Sequence, residues 1–258
     1  MKKTIFFILL MICSYFLWTV NVFSQSKFER KCSWSDEFKE KGMPNESYWK
    51  AEKRLNRPEL QEYVRKKKNS YCEKGLLHIK CIKEKSENNM ECTSAKVSSK
   101  GKKSFLYGKF EVRAKAPVGK GIFPAIWMMP EDMTKPYGEI DLMEYIDCWK
   151  GKKIQTNVHV VYEYGVKAYQ HQKIYELDVN DWHIYTLEWT KESLTFLVDG
   201  EVVQQLHKSK LEAWPFDRPY YIILNVAFGG WGGSCGVDYD ILPKEMLVDY
   251  VRYYKLKE

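Results

Sequence analysis

Apolar and polar positions alternate along most of the chain beyond residue 28. Gly75–Ile82 reads G-L-L-H-I-K-C-I, Gly108–Ala116 reads G-K-F-E-V-R-A-K-A and His183–Trp189 reads H-I-Y-T-L-E-W. A period of two sends successive side chains to opposite faces, so each stretch predicts a half-buried strand. Leu194–Val203 holds two such pieces around Asp199-Gly200, a pair suited to a tight hairpin turn. Tyr220–Phe228 is apolar almost throughout and predicts a strand covered on both faces; Met246–Lys255 predicts the last strand. Long helical periodicity occurs only in the first 24 residues. Many short strands between turns predict an all-β fold, a sandwich or jelly roll of antiparallel sheets. No repeat, linker or shift in composition divides the pattern, so residues 25–258 read as a single domain.

The N-terminus follows a different rule. Lys2 and Lys3 precede an apolar run from Ile5 to about Val20, then Val22-Phe23-Ser24 before Gln25. A basic start, an apolar stretch and small residues near a cut site predict a cleavable signal peptide over 1–24. The run is shorter than the ~20 apolar residues of a membrane span. Bulky Ile12 before Cys13 disfavours lipid attachment there. The expected product is secreted or periplasmic, has no membrane span after cleavage, and is a monomer.

Composition narrows the class. With 258 residues, 29% charged and 45% hydrophobic, the chain is ordinary globular protein, which excludes extended disorder and collagen. Aromatics reach 15%, which suits a β protein or a surface that stacks on sugar rings. The net charge of +7 falls to +5 without the leader, which holds two lysines and no acid. Basic residues are scattered among acids, and the one dense run, Arg65-Lys66-Lys67-Lys68, reads as a solvated loop; nothing points to nucleic acid. Six cysteines follow the leader: Cys32, Cys72, Cys81, Cys92, Cys148 and Cys235. In an oxidising compartment one or more bridges are expected, with the pairing open. None has zinc-site spacing.

The chemistry concentrates in Gly138-Glu139-Ile140-Asp141-Leu142-Met143-Glu144, three acids on an otherwise apolar strand. Glu139 and Asp141 share a face, but Glu144, five positions beyond Glu139, belongs to the other. One extra residue at Leu142 or Met143, a β-bulge, would return Glu144 to their side; bulges concentrate beside active sites. Acids crowded on one face repel and raise at least one pKa. Two carboxylates of unlike protonation are the equipment of a glycosidase, one attacking and one protonating the leaving oxygen.

The motif "GEIDLMEY" resembles the catalytic strand of glycoside hydrolase family 16, in the bulged form of laminarinases and agarases. "WSDEF" at 34–38, "YGKFEVRAKAP" at 107–117, "FPAIWMMP" at 123–130, "WHIYTLEW" at 182–189, "LNVAFGGWGG" at 224–233 and "MLVDYVRYY" at 246–254 resemble family segments in family order. The resemblance implies a jelly roll with a concave cleft and retaining endo-hydrolysis of a β-linked polysaccharide, with no cofactor for catalysis. It also implies Glu139 as nucleophile, Glu144 as acid/base and Asp141 between them.

Around these acids, Trp127 on the preceding strand is either a sugar-stacking floor or core. Trp231, flanked by glycines that permit close approach to a ligand, is expected at the substrate. Asn225 inside an apolar strand needs a partner, and a sugar hydroxyl is a candidate. The resemblance further implies cleft positions at His159, Arg113, Glu59 and Gln61, and a structural calcium held by Glu37, the Gly75 carbonyl and Asp249. Phe123 stands where laminarinases usually carry Trp, and Arg57-Pro58 replaces an Asn-rich approach to Glu59-Leu60-Gln61. Both departures bear on specificity. An endo-β-1,3- or β-1,3(4)-glucanase is expected; an endo-β-galactosidase acting on agar, keratan or mucin glycans is the alternative, and a non-catalytic lectin is disfavoured by the intact acids.

Overall fold

The computed structural model describes residues 26–149 and 153–258; the leader expected over 1–24 lies outside them. The early strands are β1 (Trp34–Asp36), β2 (Lys50–Ala51), β3 (Arg54–Leu55), β4 (Gln61–Tyr63), β5 (Ser70–Glu73) and β6 (Leu76–Lys83). Next come β7 (Cys92–Ser94), β8 (Lys96–Ser98), β9 (Gly108–Lys115), β10 (Ile122–Pro130), β11 (Tyr137–Glu144) and β12 (Lys153–Glu163). The last are β13 (Lys167–Glu176), β14 (His183–Trp189), β15 (Ser193–Val198), β16 (Glu201–His207), β17 (Tyr220–Phe228) and β18 (Lys244–Tyr254).

These strands form two sheets. The larger runs β16-β15-β14-β9-β18-β6-β7-β4-β3, with β1 added to β18 and β5 to β6; the smaller runs β13-β12-β11-β10-β17-β8-β2. Pairing among the described residues is antiparallel except between β4 and β7. Alternation decides which side chains enter the core. In β9, Phe110, Val112 and Ala114 are buried, while Lys109, Glu111, Arg113 and Lys115 face outward. From the smaller sheet Ile122, Ile126, Met128, Ile140, Val158, Ile222 and Leu224 meet them in one continuous core. Each such aliphatic or aromatic side chain contributes roughly 1.5–3 kcal/mol on burial. The result is the expected jelly roll.

The expected strands appear within one or two residues of their sequence limits, except that β16 runs on to His207, four residues beyond the expected Val203. All nine residues of β17 are buried, as its apolar run implies. Asp199 and Gly200 join β15 to β16 with positive φ (51° and 89°), the requirement of a tight hairpin turn. Cys148, just beyond β11, bonds to Cys235, while Cys32, Cys72, Cys81 and Cys92 remain thiols. That bridge closes a loop of 87 residues and ties the segment after the acidic strand to the loop that follows Trp231. Chain-entropy arguments value such a closure at about 4–5 kcal/mol.

Candidate active site

Strand β11 carries the bulge. Against β12, Asp141 lies opposite Asn157 and Glu144 opposite Gln155, so three steps on β11 match two on its partner. Against β10, Trp127 faces Asp141 and Ile126 faces Met143, leaving Leu142 as the extra residue. Glu139, Asp141 and Glu144 therefore turn to one side, away from buried Ile140 and Met143. Gly138 allows the strand to lie this close to the core: a Cβ there would sit 2.3 Å from the Phe216 ring and 2.9 Å from the Tyr220 hydroxyl.

Glu139 and Glu144 both line a cleft of about 220 Å³ with Arg54, Asn56, Glu59, Tyr63, Lys96, Phe123, Ala125, Trp127 and Asn225. Asp141 sits between them, 1% exposed. Its Oδ2 has no hydrogen-bond donor among the described residues and lies 3.5 Å from His159 Nε2. The Asn157 amide is 2.8 Å from that nitrogen and donates to it, which makes it an acceptor and the ring neutral. Burial lowers the His159 pKa in the same sense.

Electrostatics raises all three acids and sets Asp141 apart. Burial, then the charges of Glu144 and Glu139, push Asp141 well above the usual carboxylate range, so it holds a proton. Burial also pushes Glu144 up to about 7, helped by the charge of Glu139 and opposed by the Gln155 amide, which donates to Oε2 at 2.5 Å. Gln172 in turn donates to Gln155. Burial pushes Glu139 up to about 7 as well, opposed by Lys96, the cation that favours its ionised form. Lys96 is nine-tenths buried, 4.7 Å from the Trp127 ring centre and 3.8 Å from Glu52 Oε2. With Asp141 protonated, the group offers two carboxyl groups raised alike to about 7, one with a cation beside it and one with an amide donor.

The remaining expected residues divide. Trp127 is on the cleft face, its Nε1 donating to Asn225 Oδ1 at 2.7 Å, and Asn225 donates to the Tyr63 hydroxyl at 3.2 Å. Both amide groups of Asn225 thus have protein partners; its part is to hold the Trp127 floor. Glu59 lines the cleft with Asn56 donating to one oxygen (2.7 Å) and Gln61 to the other (2.5 Å). Gln61 itself is fully buried and accepts the Phe228 N–H, so it positions Glu59 instead of facing substrate. Trp231 is 41% exposed and stands edge-on to Phe123, 5.2 Å between centres. The glycines beside it serve a different approach from the one expected. A Cβ on Gly229 would strike Leu60 at 2.4 Å, so they pack the loop onto the Glu59-Leu60 segment.

Arg113 is a correction. It projects from the outer face of β9 in the other sheet, pairs with Asp249 at 2.6 Å and lies over the Trp182 ring. Parity fixed its face relative to Glu111 but could not say which sheet β9 joins. The expected calcium residues lie on segments beside one stretch of β18. Asp36 pairs with Val251 and Leu77 with Val248, so Glu37, Gly75 and Asp249 flank one gap along β18. Yet Arg252 holds both oxygens of Glu37 at 2.9 Å and Arg113 holds Asp249, so the carboxylates present fit a cation poorly.

Lys96, Tyr63, Gln155, Arg54 and Asn56 did not stand out in the sequence. A lone Lys inside the small-residue run Thr93-Ser94-Ala95-Lys96-Val97 was the one available signal. The others needed the fold to join distant segments.

Comparison with known proteins agrees with this geometry. Over 251 residues the chain is 37% identical to the beta-glucanase of Rhodothermus marinus, covering 87% of this chain and 85% of that one. It is 37% identical over 173 residues to the keratan-sulfate endo-1,4-beta-galactosidase of Sphingobacterium multivorum, covering 62% of this chain and 39% of the relative. The laminarinase structure from Rhodothermus marinus superposes with a TM-score of 0.82 at 35% identity, over 90% of this chain and 99% of that one. Residues 59–252 match the model of glycosyl hydrolases family 16. The chain belongs to that family and is an endo-acting glycoside hydrolase.

Proposed function

We propose that the protein is an exported, retaining endo-β-1,3- or β-1,3(4)-glucanase. The observation that carries this reading is the bulge at Leu142, which turns Glu139 and Glu144 into one cleft beside Trp127. The similarity to a beta-glucanase and a laminarinase supports the glucan. Ionised Glu139 attacks the anomeric carbon while Glu144 gives its proton to the leaving oxygen, forming a glycosyl ester and a free chain end. Loss of the Glu139 charge then lowers the pKa of Glu144, which takes a proton from water as the water displaces Glu139. Asp141, protonated between them, shares its proton with the attacking carboxylate. Lys96, Gln155 and Asn225 act as positioning residues: Lys96 favours the ionised form of Glu139, Gln155 fixes one oxygen of Glu144, and Asn225 holds Trp127.

An endo-β-galactosidase is the second reading, favoured by the keratan-sulfate relative and by Phe123 at the cleft wall. Product analysis on laminarin, lichenan, agarose, keratan and mucin glycans decides between them. Internal cleavage of laminarin with retained anomeric configuration is expected; cleavage of keratan or mucin glycans alone would replace the glucan.

A further inference from the structure

A second concavity lies at the β2 edge of the cleft-bearing sheet. It has a volume of about 810 Å³, and five of the eleven residues around it are cations: Lys50, Arg65, Lys67, Lys100 and Lys102. All five are exposed. Several cations elsewhere on the surface are matched, as in Lys53 with Glu87, Lys83 with Asp240 and Lys167 with Glu212. Among the described residues none of these five has a carboxylate within ion-pair distance, although Glu46 also borders the groove. Glu131 also approaches, accepting the Gly101 N–H at 3.0 Å, but five cations outnumber these two acids; such an excess of like charge costs stability by repulsion, and a bound anion relieves that cost.

The groove lies at the edge of the sheet that bears the cleft. Lys96 pairs with Asn225 in register, and Ser98 one period further along β8 pairs with Lys50 of β2. Lys50 therefore lies on the same side of the sheet as Lys96 and the Trp127 floor. Lys100 reaches over the Tyr221 ring, 5.3 Å from its centre. A chain leaving the cleft across β8 and β2 passes Glu52, already held by Ser98 and Lys96, and reaches Lys50 and Lys100. Arg65 is anchored to the Ala51 carbonyl at 2.6 Å, which fixes one wall.

We propose that this groove binds an anionic polysaccharide, one whose sugar rings carry sulfate or carboxylate groups, as an extension of the catalytic cleft. The extension rests on the glycoside-hydrolase reading of the cleft, while the charge on the groove does not. Arg65 and Lys67, from the run Arg65–Lys68, then form part of a binding wall.

Affinity electrophoresis of the Glu139→Gln protein tests it, with gels containing neutral laminarin, sulfated laminarin, polygalacturonate or single-stranded DNA. Sulfated laminarin or polygalacturonate should bind roughly ten-fold or more tightly than neutral laminarin at low salt, and the gain should shrink as salt screens it. The more strongly retarding of the two identifies the substituent. Replacing Lys50, Lys67, Lys100 and Lys102 together by Gln should abolish the gain, and a cooperative melting transition like that of the parent shows that the variant folds. Equal retardation by neutral and sulfated laminarin, retardation unchanged in the four-fold variant, or tighter binding of DNA than of either anionic glycan overturns the proposal. Failure to cleave any neutral glucan sinks the glucanase reading alone, because the binding gels do not depend on turnover.

Discussion

Two acid-bearing surfaces of this molecule handle charge in opposite ways. On the outer face of β9 and β18 each acid meets a cation. Arg252 grips Glu37 with two hydrogen bonds, Arg113 holds Asp249, and Lys109 lies 2.6 Å from Glu111. The Arg252 bonds hold the Glu37 carboxyl below its usual pKa. On β11 three acids share one face, where burial raises all three and Lys96 is the cation that opposes the rise at Glu139. The outer face is arranged for rest. The cleft keeps a repulsion that substrate and proton transfer relieve, so poor pairing marks chemistry where good pairing marks scaffold.

The comparison breaks most visibly at Glu139. Glu139→Gln should lose roughly 10⁴-fold or more in turnover, since groups acting as a unit fail together, while its melting temperature at pH 8 stays at or above that of the parent. Azide should rescue Glu139→Ala and give a glycosyl azide of inverted configuration. Turnover persisting in the Gln variant would remove the nucleophile assignment.

At Glu144 the expected loss is about 10²–10⁴-fold on polysaccharide. Aryl glycosides with good leaving groups need no acid in the first step and should be cleaved far better by Glu144→Ala. The parent rate should fall on the alkaline side near pH 7, where Glu144 loses its proton. An alkaline limb that survives unchanged in Glu144→Ala assigns the acid elsewhere.

Asp141 tests the cost of crowding through stability. Its folded pKa is raised, so the unfolded chain releases the proton first. Stability therefore falls as pH rises above ~4, by up to about 1.4 kcal/mol per pH unit, until the folded pKa is passed. Urea midpoints at pH 4.5, 6 and 7.5 should decline in the parent and decline less in Asp141→Asn. Parallel curves would mean that the buried carboxyl carries no such penalty.

On the outer face the sign reverses. Glu37 has a lowered pKa, so its pairing with Arg252 is present above pH ~4.5 and is lost as pH falls through the folded value. Both side chains are about one-third exposed, so Arg252→Met should cost about 1 kcal/mol or less at pH 7, read as a small drop in melting temperature with unchanged turnover. A large loss of activity would tie that face to the cleft. The smallest effect is expected from calcium. With Glu37 and Asp249 already held by arginines, added calcium or a chelator should shift the melting temperature by no more than a degree or two, and a large shift would show that the cation displaces them.

Sequence alone determined the features that depend on short range. Alternation in Gly108–Ala116 or His183–Trp189 specifies a strand and its buried face, because a pleated chain has only two sides. The same period, applied to Glu139, Asp141 and Glu144, required a bulge, and pairing with β10 and β12 puts it at Leu142. Tertiary structure decided what parity cannot reach. Arg113 has the right pattern but belongs to the other sheet, since a strand's period says nothing of its neighbours. Asn225 and Gln61 turned out to bind Trp127, Tyr63, Glu59 and the Phe228 N–H, partners up to 167 positions away. Lys96 entered the cleft only because β8 pairs with β17, and Arg65 and Lys67 border a groove only because β2 brings Lys50 beside them. Local patterning sets the faces of strands; the order in which strands meet sets the site, and that order is fixed by the burial of the whole core.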